Sequence, residues 1–206
     1  MKIFERPIFS FQEDDFFSPI REKRDYAKIV LLGARTLLLP RVTSKEIPTS
    51  KMKLIVDKMS RLFFYKEGRS YSISFPFIVQ STSGEISGIN SYLKTTVDLQ
   101  AISEVIAILI DEQFKLKPSL IDVYIEEDLP GIFLLEEILV TEPSYIRYDI
   151  DPNQVNGKLH PLKHLDVNYS QYSTFKLDSG EIDSEKSVCP PTSSARRRPS
   201  ASPSPR

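Results

Sequence analysis

Cysteine is almost absent. Cys189 stands alone among the 206 residues, so neither an intramolecular disulfide nor a multi-cysteine zinc site can form, and a reducing, cytoplasmic setting is expected. Long apolar runs are missing as well. The best candidate, Ile29 to Leu39, is broken by Gly33 and Arg35 and is too short to span a bilayer. The N-terminal MKIFERPIFSFQEDDFF is interrupted by Glu5, Arg6 and Pro7 and lacks the shape of a secretory leader, and the protein is expected to have no membrane association. Nor is there an excess of one charge: 27 basic residues face 28 acidic ones. That balance excludes a dedicated nucleic-acid coat, so a nucleic-acid or protein partner would have to be met by a local surface. Phosphate-loop spacing is lacking around Gly84 and Gly88, and no serine sits in a G-x-S-x-G elbow.

What is present is enough for one core of 40% hydrophobic residues and no more than one domain, placed at residues 1–182. From Asp183 to Arg206 there is no Ile, Leu, Phe or Tyr, and half of those 24 residues are Ser or Pro. Such a segment cannot bury enough apolar area to offset its ordering entropy, and residues 183–206 are expected to form a disordered tail. The tail also shifts from residues with AT-rich codons to Ala, Arg and Pro, which raises a truncated or frame-shifted end as a hypothesis.

Two stretches carry helical periodicity. Ser50, followed by Met52, Ile55, Val56, Met59, Leu62 and Phe63, predicts an amphipathic helix with a serine cap. Asp98, followed by Leu99, Ile102, Val105, Ile106, Leu109 and Ile110, predicts a second. Between them Tyr71, Ile73, Phe75, Phe77 and Val79 alternate with polar residues, as in a half-buried strand that Pro76 either ends or confines to an edge. Leu120 to Ile125 reads as a further strand. Ser18-Pro19 suggests a helix start before Ile20, whereas Ile29 to Leu39 reads equally as two short strands joined at Gly33. Ile132 to Val140 is open between helix and strand. Without βαβ repetition, these elements predict an α+β fold: a mainly antiparallel sheet, built largely from C-terminal strands, with two or three packing helices.

Chemistry concentrates in one place. In YIRYDID, Ile146, Tyr148 and Ile150 alternate with Arg147, Asp149 and Asp151; in HLDVNY, Leu165, Val167 and Tyr169 alternate with His164, Asp166 and Asn168. If the two strands are antiparallel neighbours with their apolar residues in the core, the six polar residues share the other face. Asp149, Asp151 and Asp166 would then hold Mg²⁺ or Mn²⁺, with His160, His164, Asp149 and Arg147 as catalytic candidates for phosphodiester cleavage. Histidine suits that work because it titrates near pH 6.5, and the chain's only two histidines fall within five residues. Pro161 makes a helical zinc pair of His160 and His164 implausible. The competing reading is a solvated charge cluster on the exposed side of a one-sided sheet.

The segment Arg147 to Asn168, RYDIDPNQVNGKLHPLKHLDVN, resembles the C-terminal part of a group of uncharacterised bacterial and phage-associated proteins, in which an R-x-D-x-D strand leads into H-P-x-x-H-L and another strand. The resemblance implies a bacterial cytoplasmic protein and singles out Arg147, Asp149, His160 and His164. The family pattern continues beyond the strand at Ser173 to Leu177, where this chain passes into its tail. The expected function is that of a binding or regulatory protein, with a metal-dependent phosphodiesterase or RNase-like effector as the alternative.

Overall fold

The computed structural model describes residues 1–41, 45–93, 95–112, 114, 130–153, 155–156, 160–167 and 175–178. Both the tail expected at 183–206 and the strand expected at Leu120 to Ile125 lie outside them. The fold is α+β. Among the described residues seven strands form one antiparallel sheet: β1 (Lys2–Ile8), β2 (Ser50–Val56), β3 (Arg61–Lys66), β4 (Arg69–Ser74), β7 (Ile146–Ile150), β8 (Lys163–Val167) and β9 (Phe175–Asp178), in the spatial order β1-β2-β3-β4-β7-β8-β9. A separate hairpin joins β5 (Ile78–Thr82) to β6 (Glu85–Asn90). Among the described residues the α-helices are α1 (Glu13–Phe17), α2 (Lys23–Leu38), α3 (Leu99–Ile110) and α4 (Pro130–Val140). None of them is long and apolar enough to cross a membrane.

Where period and burial agree, the sequence expectation holds. Asp98 caps α3, its Oδ1 accepting the Ala101 amide at 2.8 Å. Ile132 to Val140, which the sequence left open between helix and strand, is helical, and Leu134, Leu135 and Ile138 enter the main core. The helix expected across Ser50 to Phe63 is instead the β2–β3 hairpin. Its apolar spacing fits a helix only because the hairpin buries residues on both sides. Met52, Leu54 and Leu62 face the helices, while Ile55 and Phe63 enter a second, smaller cluster on the opposite side.

Ile29 to Leu39 belongs largely to α2, not to two strands. Ser18 closes α1 by donating to the Asp14 carbonyl, and α2 starts later, where the Asp25 carboxylate accepts the Arg21 and Glu22 amides. Gly33 lets α2 lie close on the sheet: a Cβ there would stand 2.9 Å from Leu62 Cδ1. The sheet is also not a C-terminal construction, since four of its seven strands end before Phe75. Strand β4 stops at Ser74, before Pro76, but it is not half-buried. It lies inside the sheet, and Ser70, Ser72 and Ser74 are buried along with Tyr71 and Ile73.

Candidate functional site

Strands β7 and β8 form the antiparallel pair that the alternation requires, with Arg147 opposite Asp166 and Asp149 opposite His164. Directly paired residues project to the same side of a sheet, so these four side chains form one group. The row extends to β4, where Tyr71 and Arg69 are opposite Arg147 and Asp149, and on the other side the backbone of β9 pairs with β8.

Following the register across the sheet shows which side this is. Tyr71 pairs with Phe64, and Phe64 with Met52, all in the main core beside α2. The charged row therefore continues the helix-facing side. Tyr148, on the opposite side, joins Ile55, Phe63 and Tyr65 in the smaller cluster, with Leu165 packed against it. A solvated charge cluster is excluded by burial: the side chains of Asp149, His164 and Asp166 are 8%, 1% and 1% exposed.

Buried carboxylates need partners, and guanidinium groups supply them. Asp149 Oδ1 accepts from Arg69 Nε at 3.0 Å, and Asp166 Oδ2 accepts from Arg147 Nη2 at 2.5 Å. Arg147 Nε also lies 2.7 Å from Asp149 Oδ2, but without hydrogen-bond geometry. Burial pushes down on the charged form of Arg147, yet Tyr145, Asp149 and Asp166 together raise its pKa above the ordinary value. The Tyr145 phenol is pushed up to about 12, first by burial, with Arg147 pulling the other way.

His164 is held by its other nitrogen. Nδ1 lies 3.0 Å from the Pro161 carbonyl oxygen, which can only accept, so Nδ1 carries the proton. Nε2 then faces Asp149 Oδ2 at 3.9 Å and Asp166 Oδ1 at 4.0 Å. These separations are too long for hydrogen bonds. The three residues can offer ligand atoms that all lie within 4.8 Å of one another.

The other sequence candidates stand at the end of the row. Asp151 lies just past β7, where its Oδ1 accepts the Asn153 amide in a local turn. It does not join the three-residue group, and its Oδ2 is instead 3.7 Å from His160 Nε2. His160 is bridged to Asn156 through the backbone and packs its ring edge-on against His164, centroids 4.6 Å apart. Asn168 lies outside the described residues. Arg69 was missed by sequence reasoning. Only its alternation with Tyr71 and Ile73 hinted at its side, and its link to Asp149 depends on the β4–β7 pairing.

Compared with family models, curated proteins and solved structures, the chain matches none of them. The site must be read from its own chemistry.

Proposed function

We propose that this is a binding protein built around a divalent-cation centre at Asp149, His164 and Asp166. The observation that carries the reading is the aim of the His164 ring: Nδ1–H is fixed on the Pro161 carbonyl and Nε2 points at one oxygen from each carboxylate. A backbone carbonyl on the second nitrogen is the usual support of a metal-binding histidine, and Arg69 and Arg147 orient the carboxylates in the same outer role. An ion with bonds of about 2.0–2.2 Å would hold its ligand atoms about 3–3.5 Å apart, so the His164–carboxylate separations need to contract by about 0.5–1 Å and the widest pair by no more than about 1.8 Å. One imidazole with two carboxylates suits Mn²⁺ or Zn²⁺ better than Mg²⁺. The lone Cys189 accords with a cytoplasmic setting for such a protein.

Calorimetric titration of the full chain with Mn²⁺ and Zn²⁺ tests the centre. One ion per chain is expected, with affinity at least about tenfold weaker in His164→Ala. Absence of saturable binding by either ion, or equal affinity in the variant, removes the reading.

The second reading is phosphodiester hydrolysis, with RNA as the substrate. It is favoured by His160 and Asp151, which place another imidazole and carboxylate at the partly exposed end of the same row. Cleavage of RNA in Mn²⁺ that disappears in His160→Ala would put this reading first, whereas an inert wild-type protein leaves cation binding alone.

A further inference from the structure

We propose that the centre takes its cation together with a phosphate-type anion, and that Arg69 is the anion's protein partner. The inference rests on the cation reading above and follows from a charge count on the buried row. Asp149 and Asp166 bring two negative charges, and Arg69 and Arg147 bring two positive ones. Tyr71 and Tyr145 stay neutral. Lys66, opposite Arg69, is engaged by Glu13 at 3.3 Å. The row is thus balanced without an ion and carries two excess positive charges with one, of which Asp151 at the rim offsets at most one.

A buried excess of that kind is costly, and a bound anion relieves it. Arg69 is where the anion can reach. Its Nε is on Asp149 and its Nη1 is 3.5 Å from the Phe17 carbonyl, while 37% of the side chain remains exposed. Arg147 is less open at 21% and is spent on Asp149, Asp166 and Tyr145. A guanidinium beside a divalent cation matches the tetrahedral oxygens of phosphate, which can bridge the two.

Linkage supplies the test, since an anion that shares the site with the cation must tighten cation binding by the factor with which the cation tightens its own. The Mn²⁺ affinity of the full chain would be measured by the electron spin resonance of free Mn²⁺, in potassium phosphate and in potassium chloride of equal ionic strength. At least about tenfold tighter binding is expected in phosphate, a coupling within the usual range, with the ratio falling towards one in Arg69→Gln. Equal Mn²⁺ affinity in the two salts overturns the anion inference and leaves the cation centre standing. If Mn²⁺ binds in neither salt, the inference falls, and the Zn²⁺ titration alone decides the centre. Repeating the measurement with an RNA dinucleotide separates the sources: tightening by phosphate alone assigns free phosphate, and tightening by the dinucleotide assigns a phosphodiester.

Discussion

The helix-facing side of one sheet is built in two ways. Across β1 to β4 it consists largely of apolar side chains such as Phe4, Leu54, Leu62 and Ile73, packed with α2 into the main core. Across β7 and β8 it consists of Arg147, Asp149, His164 and Asp166, of which the last three are just as buried. Equal burial has unequal causes. The first half is stabilised by apolar area removed from water, which is non-directional and tolerant of repacking. In the second half the carboxylates have lost their water and depend on particular partners, so its substitutions are asymmetric.

The largest expected effect follows from that asymmetry. Asp166→Ala removes the carboxylate that accepts from Arg147 Nη2 and should cost about 3–5 kcal/mol of stability by urea denaturation. Replacing both members with apolar residues, Arg147→Met with Asp166→Leu, should cost less than Asp166→Ala alone, because no charge is left unpaired. If the double variant is the worse of the two, the charged half is not a set of compensating pairs. In the apolar half, Gly33→Val sets new atoms against Leu62, and overpacking of this kind should cost about 1–3 kcal/mol in the same assay.

The smallest effect concerns pH. The Tyr145 phenol is raised from its ordinary 10 to about 12, mainly by burial. Between those values the unfolded chain has released a proton that the folded chain keeps. Stability is therefore fully present below pH 10 and falls as pH rises towards 12. Denaturation midpoints taken across that window should slope less steeply in Tyr145→Phe; Tyr71, also raised by burial, supplies a remaining slope. An unchanged slope would mean that Tyr145 titrates like an exposed phenol.

Legibility in the sequence tracked how local the decisive interaction was. Strands β7 and β8 could be read because Arg147 to Asp151 and His164 to Val167 each alternate without interruption, and α3 because its cap and stripe lie within one stretch. The β2–β3 hairpin misled because Leu54 and Ile55 are adjacent and both buried, one on each side of the sheet. A strand covered on both sides loses the clean alternation that distinguishes it from a helix. Serines Ser70, Ser72 and Ser74 misled in the same way, since their polarity implied a wet side that an interior strand does not have.

By itself the sequence determined the two alternating strands at the site and the parity that groups Arg147 and Asp149 with His164 and Asp166, because a side-chain period of two is a property of the strand backbone. It also restricted the imidazoles to His160 and His164. Only the tertiary structure decided that the charged side points inward, that Arg69 from a strand some 80 residues away braces Asp149, and that the Pro161 carbonyl turns His164 Nε2 towards both carboxylates. Those choices depend on which elements cover each side of the sheet and on which strand lies beside β7, and neither is encoded in the local period of the chain.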